Sequence, residues 1–317
     1  MTSAQRRAAA RRRATVRRRQ ATALALLAIA AIVVGVAIVS AGSPDPPPAF
    51  VRVELGGRTV ARRRVSELQR PQSVTAMLAK VPASRTVHRD SGTYELRVAR
   101  GEVLAAVRRA VRRGGGIVAI HERPTAASLR VPIVQQALRD NCETAALSML
   151  LAFRGKPADQ LALQRQVAHS PPLDPVVAAD GSEVWGDPEQ GFVGRAAGGG
   201  PAGGFGVYQG PIEALARRHG VALRDLTGAG PGAIYRALLR GRPVIAWVAL
   251  SSGPFASWST PSGRAVRVNY GEHAVVLSGV DPARVRVNDP LSGRRLTWPK
   301  SEFVRMWTAL GRRALAA

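Results

Sequence analysis

The chain has 317 residues, a formal net charge of +25 and a single cysteine. One cysteine excludes an intramolecular disulfide and a metal site built from several thiolates. The high charge suggests nucleic-acid binding, but there is no recognisable helix-turn-helix, RNA-binding or zinc pattern, and only 5% of the residues are aromatic side chains that could stack on bases. We therefore predict that nucleic acid is not a partner.

The first 41 residues predict a membrane segment. Residues 1–20 form a basic tail with eight arginines between Arg6 and Arg19 and no acidic residue. Residues 21–41 are almost uninterruptedly apolar and long enough to cross a bilayer as one transmembrane helix. The arginines should hold the tail in the cytoplasm, so that the rest of the chain is extracytoplasmic. Secretion after cleavage of a signal peptide is the alternative, because Val39-Ser40-Ala41 resembles a cleavage site, but the length of the apolar run favours a retained single-pass anchor in the cell membrane.

Residues 42–49 are a proline-rich linker, and residues 50–126 are predicted to form a small basic α+β module. Strand-like runs lie at 51–55, 94–98 and 117–121, and helical patterns at 74–78 and 101–113. Residues 51–130 include 17 basic and 6 acidic side chains, which predicts contact with anionic lipid or an anionic cell-wall polymer. Alternatively, the arginines only solvate the surface. The module itself is an accessory domain, a propeptide or an extension of the domain that follows.

Cys142 begins a predicted helix. Asn141 is a good N-cap residue, Glu143 places an acid in the first turn, and apolar residues recur at helical spacing from 146 to 153. We expect the helix dipole and a neighbouring imidazolium to lower the pKa of Cys142 and hold it as a nucleophilic thiolate. The alternative is a small buried hydrophobic residue. Gln136 lies six residues earlier, a spacing at which its amide can donate to a developing oxyanion.

Residues 271–280 and 284–290 predict an antiparallel hairpin joined by a tight turn. His273 starts the first strand and should therefore lie beside Asn288 and Asp289 at the end of the second. Because side chains alternate between the faces of a sheet, an odd number of loop residues places Asp289 on the face of His273, and an even number places Asn288 there. The sequence leaves this choice open. Either side chain is able to hold one tautomer of the imidazole through its non-reacting nitrogen.

The order of Cys142, His273 and Asp289, with Gln136 upstream, resembles the papain-like cysteine peptidases. From residue 131 onward the chain is similar to the peptidase C39-like family, in its YvpB-like branch. Six separated blocks carry the similarity, at residues 131–136, 141–146, 185–194, 241–247, 272–273 and 287–290. The resemblance implies a papain-like α+β fold for residues 127–317, a substrate cleft shaped by residues 185–194, and Asp289 as the third catalytic residue.

One block departs from the classical pattern of the larger family. Classical members carry Asp-Cys-Gly, whereas this chain has Asn141-Cys142-Glu143, as its own branch does. The departure bears on activity more than on fold, because it changes the residue directly beside the thiol.

The resulting hypothesis is a membrane-anchored extracytoplasmic cysteine peptidase that hydrolyses a peptide or protein substrate. Cys142 is expected to attack, His273 to take and return the proton, Asp289 to orient His273, and Gln136 to stabilise the oxyanion together with the backbone N–H of Cys142. The alternatives are a catalytically idle domain that binds peptide or cell-wall material, and an amidase or transpeptidase acting on cell-wall peptides. The other histidines lack metal-ligand spacing, so no metal and no cofactor are expected.

Overall fold

A computed structural model describes residues 37–39, 50–198 and 203–317 of the protein. Its helices are α1 (Pro71–Ala79), α2 (Arg100–Arg112), α3 (Cys142–Phe153), α4 (Gln160–Gln166), α5 (Gln209–Arg218), α6 (Pro231–Leu239) and α7 (Lys300–Thr308), with a short 3-10 helix at Glu67–Gln69. Its strands are β1 (Ala37–Val39), β2 (Phe50–Leu55), β3 (Arg58–Arg64), β4 (Ser84–Arg89), β5 (Gly92–Arg97), β6 (Gly116–Ile120), β7 (Arg123–Leu129), β8 (Val176–Val177), β9 (Glu183–Val184), β10 (Val193–Gly194), β11 (Gly204–Gly206), β12 (Arg224–Asp225), β13 (Val244–Ala249), β14 (Phe255–Ser259), β15 (Ala265–Asn269), β16 (Glu272–Val280), β17 (Arg284–Asp289), β18 (Arg294–Pro299) and β19 (Ala314–Ala316).

The predicted basic tail, membrane segment and linker fall almost entirely outside the described residues. The exception is β1 at the end of the predicted membrane helix, which forms a strand paired antiparallel with β6 rather than a helix. Within the described parts of the chain, no helix is both long and apolar enough to cross a bilayer.

Two compact units divide the chain. The first contains the described residues up to Arg85 together with Leu96–Arg123, and the second contains Thr86–Glu95 together with Pro124–Ala317. The division after Arg123 lies close to the boundary predicted after residue 126. Residues 86–95, which the sequence assigned to the small module, belong instead to the second unit, because β4 and β5 extend the sheet of that unit beyond β7.

The first unit contains a four-stranded sheet with the order β1-β6-β2-β3. Strand β2 alternates exposed and buried side chains, and Val51 and Val53 face a core shared with Val103 and Val107 of α2. Period-two burial on the strands and an apolar stripe on the helix explain why these residues pack together. The strands predicted at 51–55 and 117–121 and the helix predicted at 101–113 coincide with β2, β6 and α2 to within one residue at their ends, and the helix predicted at 74–78 lies within α1. The strand predicted at 94–98 overlaps β5, which lies in the sheet of the second unit.

The second unit is built on a large sheet with the strand order β12-β19-β13-β16-β7-β5-β4, and β17 and β18 continue from β16. All six residues of β13 are buried at the centre of this sheet. Helix α3 contacts β16 and β13 and is buried on every side from Cys142 to Leu151. A helix that is buried all round belongs to a core, so core packing determines where Cys142 lies.

The predicted hairpin is formed by β16 and β17. Its last pair is Val280↔Val285, so residues 281–284 form the connection. This is an even number of loop residues. With regular pairing along the whole hairpin, Asn288 would lie on the face of His273.

A β-bulge at Ser278 changes this outcome. Beyond the bulge the pairing continues as Leu277↔Val287, so that Ser278 has no partner residue of its own and the register shifts by one. Counting back along β16, the shifted register places Asp289 on the face of His273. The bulge therefore decides which of the two candidate side chains reaches the imidazole.

Gly279, next to the bulge, should be intolerant of a side chain. A Cβ at this position would lie 2.5 Å from the carbonyl oxygen of Ala127 on β7. We expect Gly279→Ala to destabilise the protein by about 1–3 kcal/mol, because that carbonyl belongs to the strand paired with β16 and cannot move freely. Thermal unfolding followed by circular dichroism measures the change. Gly210→Ala on α5 is the matched control, since its Cβ would meet only the Glu189 carbonyl at 3.7 Å, and an equal Tm for both variants would contradict the prediction.

Candidate active site

Cys142 is the first residue of α3, so its backbone N–H has no acceptor within the helix. The thiol is buried against β16, where the backbone N–H of Ala274 donates to Sγ at 3.4 Å. Sγ of the candidate nucleophile therefore contacts β16 at the residue that directly follows His273.

Asn141 occupies the predicted N-cap position, but its side chain does not cap the helix. Its Oδ1 accepts from the backbone N–H of Leu138 at 2.8 Å, and its Nδ2 donates to Oε1 of Gln160 at 3.0 Å. The amide therefore shapes the loop before Cys142 instead of completing the first turn of α3. The helix begins where the sequence predicted, but Asn141 does not make the expected capping hydrogen bond.

His273 and Asp289 form the predicted pair. Nε2 of His273 lies 2.6 Å from Oδ1 of Asp289, which also accepts from the Leu291 N–H at 3.0 Å. The hydroxyl of Ser292 donates to Oδ2 at 2.5 Å. Burial raises the pKa of Asp289, but the hydrogen bonds from His273 and Ser292 outweigh it and lower this pKa to about 2. Because an ionised Asp289 can only accept a hydrogen bond, a neutral imidazole of His273 must carry its proton on Nε2. The lone pair of Nδ1 is then available to act as a base.

Asn288 has a structural role on the other face of the sheet. Its Oδ1 accepts from the Ser278 hydroxyl at 3.0 Å, and its Nδ2 donates to the carbonyls of Val131 at 3.1 Å and Pro132 at 2.9 Å. This side chain is fully buried and its polar atoms have partners. The choice left open by the sequence is therefore resolved in favour of Asp289 as the partner of His273.

Two carboxyl groups surround the thiol. Cys142 donates to Oε2 of Glu143 at 3.4 Å, and Oε1 of Glu143 accepts from the backbone N–H of Val207 at 2.7 Å. Ligand atoms of Cys142, Glu143 and Glu272 all lie within 4.8 Å of one another. Gly206 makes this packing feasible, because a Cβ there would lie 2.3 Å from Oε1 of Glu143.

The pKa of Cys142 is raised, opposite to the expected direction. Burial raises it well above its usual value, and the nearby charges of Glu143 and Glu272 raise it further, while the Ala274 N–H lowers it. Burial also raises the pKa of Glu143 to about 7 and raises that of Glu272. A helix terminus contributes about 0.3–1 kcal/mol, less than one pKa unit, whereas full burial shifts a pKa by up to about 3–5 units. Desolvation therefore outweighs the dipole, and the thiol is protonated in this arrangement.

Cys142 and Gln136 do not make the contacts that the predicted mechanism requires. Among the described residues, no hydrogen bond joins Cys142 to His273, since the thiol donates to Glu143 instead. Gln136 donates from Nε2 to the carbonyls of Leu138 at 3.0 Å and Arg139 at 2.7 Å, so both amide protons are used within its own loop. Its role at the oxyanion stays a prediction and requires these bonds to be released.

Glu143 and Glu272 are the site residues whose role the sequence did not reveal. The one signal was adjacency, since an acid directly follows Cys142 and another directly precedes His273. Their contact depends on packing between α3 and β16, which sequence patterns do not report. The thiol and the two carboxyls form a group, within the part of the chain that the structure describes, that is close enough to share one cation, where the sequence predicted no metal.

Residues 185–194 form the predicted turns around a buried aromatic side chain. Phe192 is fully buried, and Trp185 lies beside Trp258 with ring centroids 5.1 Å apart. Gly191 packs directly on the preceding segment, where a Cβ would lie 2.6 Å from the carbonyl of Ala168. This segment is a closely packed part of the second unit, while its role in a substrate cleft stays a prediction.

The second unit is similar to known proteins. The profile of the Peptidase_C39 like family matches residues 128–315. The uncharacterized protein YvpB of Bacillus subtilis (strain 168) is 34% identical over 184 residues, covering 56% of this chain and 69% of YvpB. The crystal structure of a C39-like peptidase from Bacillus anthracis superposes with a TM-score of 0.51 at 31% identity, over 59% of this chain and 94% of that chain.

Replacing Glu143 should make the thiol more acidic. Glu143→Gln removes a negative charge beside Sγ and keeps an acceptor for the Val207 N–H, so the pKa of Cys142 should fall by about one unit or more. The effect has this sign because a carboxylate disfavours a neighbouring thiolate, and it should be largest above pH 7, where Glu143 with its pKa of about 7 is ionised. The pH profile of iodoacetamide alkylation measures it directly, since Cys142 is the only cysteine.

Glu302→Gln is the matched control for this experiment. Glu302 is an exposed acid in the first turn of α7, so its loss removes the same charge away from the thiol. An alkylation midpoint that stays in place in Glu143→Gln, or moves as far in Glu302→Gln, would show that the acid beside Cys142 does not control its pKa.

Proposed function

Since the chain belongs to the Peptidase_C39 like family, we propose that its second unit is a cysteine peptidase that hydrolyses peptide bonds through an acyl-enzyme. The observation that carries the proposal is the 2.6 Å hydrogen bond between His273 and Asp289, one residue along β16 from the N–H that contacts the Cys142 thiol. Such a pair has an orienting carboxylate on one imidazole nitrogen and a free base on the other, which is the arrangement that activates a nucleophile.

The proposed reaction has two halves. Nδ1 of His273 takes the thiol proton, Sγ of Cys142 forms a bond to the substrate carbonyl carbon, and His273 returns the proton to the leaving amine as the peptide bond breaks. In the second half, Nδ1 takes a proton from water, the resulting hydroxide attacks the thioester, and the proton returns to sulfur as the acid product leaves. Asp289 stays ionised throughout, which its low pKa supports.

Activation requires the thiol to exchange one partner for another. In the described arrangement the thiol donates to Glu143, so the reaction begins when Sγ turns toward His273. Burial and the two acids favour the neutral thiol before substrate binds, and proton transfer to His273 creates an ion pair that offsets the desolvation of the thiolate. The described state is therefore proposed to be a resting state.

Two groups are proposed to stabilise the oxyanion. The backbone N–H of Cys142 lies at the start of α3, where the helix dipole also favours negative charge. The amide of Gln136 is the second, after release from the carbonyls of Leu138 and Arg139. One such donor typically contributes a factor of about 10²–10³ in turnover.

A second candidate function is binding without catalysis. It is favoured by the thiol's contact with Glu143 rather than His273 and by the engagement of both amide protons of Gln136. An idle domain would hold peptide or cell-wall material in the same cleft. A third outcome, amide transfer to an amine of a cell-wall peptide, uses the same acyl-enzyme, and the acceptor found in the product separates it from hydrolysis.

The location of this activity is proposed to be outside the cell membrane. The support is the asymmetry of the first 41 residues, with eight arginines before an apolar run long enough to span a bilayer. Substrates would then be extracytoplasmic peptides or the peptides of a cell wall.

The neighbouring residues Asp289 and Asn288 should have separable roles. Asp289→Ala is expected to lower the rate of Cys142 labelling by a peptidyl acyloxymethyl ketone by orders of magnitude, up to about 10⁴, because the imidazole loses its orienting carboxylate. Asn288→Ala should retain labelling in the folded protein but lower Tm, because it leaves the Ser278 hydroxyl and the carbonyl of Pro132 without their hydrogen-bond partner, at about 1–3 kcal/mol. Rates and Tm values measured in parallel test both statements.

Cys142→Ala and denatured wild-type protein are the controls for this experiment. The first should show no labelling with a nearly unchanged Tm, and the second should lose selectivity for the electrophile. If Asn288→Ala cripples labelling and Asp289→Ala does not, Asp289 is not the third residue. If native and denatured protein label equally, the peptidase proposal fails and the binding domain is favoured.

The proposed topology predicts the behaviour of phosphatase fusions. Alkaline phosphatase joined after Ala317 should be active in cells, because it matures only outside the cytoplasm, whereas the same enzyme joined after Gln20 should be inactive. Replacing the arginines between Arg6 and Arg19 by glutamine should reduce the first signal, since they orient the segment. An inactive fusion after Ala317 would place the second unit in the cytoplasm.

A further inference from the structure

Arginines line three adjoining cavities of the second unit. The first cavity, of about 430 Å³, is bordered by Arg130, Arg286 and Arg295 and by the hydroxyl of Thr297, with no acidic residue in its lining. All three arginines are exposed. None of them takes part in an ion pair among the described residues. The guanidinium of Arg295 donates to the carbonyl of Val131 at 3.1 Å, and no carboxylate in the lining offsets the positive charge of the three side chains.

The second cavity continues from the first. It has a volume of about 470 Å³, shares Arg130 and Pro132 with the first cavity, and adds Arg154 and Arg242. Asp90 is the one acidic side chain in its lining. The two cavities therefore adjoin at these side chains.

The third cavity continues from the second. It has a volume of about 180 Å³, shares Arg242 with the second cavity, and adds Arg224, Arg236 and Arg240 without an acidic residue. These side chains also have no ion pair within the described ranges. The three cavities together form what we call the arginine track, running from Arg295 through Arg130 and Arg242 to Arg224.

Some arginines elsewhere in the second unit are paired with an acid. Arg195 pairs with Asp174, and Arg264 pairs with Asp187. Arg313 pairs with Glu189 at 2.6 Å. Others, such as Arg267 and Arg305, have no ion pair within the described ranges either. What distinguishes the track is that eight arginines line three adjoining cavities in which Asp90 is the one acidic side chain.

We propose that the arginine track binds an extended polyanion that carries phosphate groups at successive positions. Guanidinium groups match phosphate oxygens in a bidentate manner, and arginine is the residue best suited to this contact. Recessed cavities joined in sequence fit phosphates along a flexible strand. A flat membrane surface would instead meet the most protruding side chains. The site is independent of the proposed peptidase chemistry, and it lies on the second unit rather than on the basic module where the sequence predicted an anionic partner.

The test uses the full-length protein and fluorescently labelled long-chain inorganic polyphosphate, with binding followed by fluorescence anisotropy. Arg130→Gln/Arg242→Gln removes the two side chains that each border two cavities. Arg267→Gln/Arg305→Gln removes the same charge from exposed arginines outside the track and is the matched control. Circular dichroism and Tm establish that both variants remain folded. Measurements over a salt series are needed, because the basic tail and the first unit add a background of non-specific binding.

We expect the track variant to bind polyphosphate roughly tenfold more weakly at moderate salt, and the slope of log K against log salt to fall by about 0.7 for each lost contact. The control variant should lose much less. Equal losses in the two variants, or no loss in either, would overturn the proposal, because binding would then follow net charge alone. A track variant that loses affinity for anionic phospholipid vesicles but not for polyphosphate would also overturn it, in favour of a membrane surface.

Discussion

The one-residue bulge at Ser278 governs the geometry on which the candidate site depends. Without it, the even connection between β16 and β17 would turn Asn288 toward His273 and bury Asp289 on the opposite face. The neighbouring strand must tolerate the local kink that the bulge makes in β16. Gly279 makes this possible, because its lack of a side chain lets β7 approach to a distance that no Cβ would allow. The contact between His273 and Asp289 is thus a consequence of packing among three strands rather than of the two side chains alone.

Strand β17 also connects the loop before Cys142 to the pair formed by His273 and Asp289. Asn288 holds the carbonyls of Val131 and Pro132, and the backbone N–H of Gln136 donates to the carbonyl of Pro290 at 2.8 Å. The loop that leads into α3 is therefore fixed to the end of β17, directly beside Asp289. Any shift in the hairpin register would move the loop, the helix start and the carboxylate together, which explains how distant segments of the chain keep a common geometry.

The environment of Cys142 illustrates how competing electrostatic effects are decided by magnitude. The dipole of α3 favours a thiolate by a fraction of a pKa unit to nearly one unit, whereas burial beside Glu143 and Glu272 opposes it by more. A thiol held neutral by buried acids is protected from adventitious alkylation, and in the proposed mechanism it becomes a nucleophile when it turns to His273. Storing the nucleophile in its neutral form would restrict reactivity to the substrate-bound state.

The sequence by itself determined the mixed α+β class, the family, the helix that starts at Cys142 and the hairpin that carries His273, because each depends on local periodicity, turn chemistry or motif order. It did not determine the hairpin register, since a bulge is set by contacts with β7, which lies far away in the chain. It also gave the wrong direction for the pKa of Cys142, because burial and the approach of Glu272 arise only when α3 packs against β16. Local patterns specify which elements form, and only the tertiary structure decides which side chains those elements bring together and how far water is excluded from them.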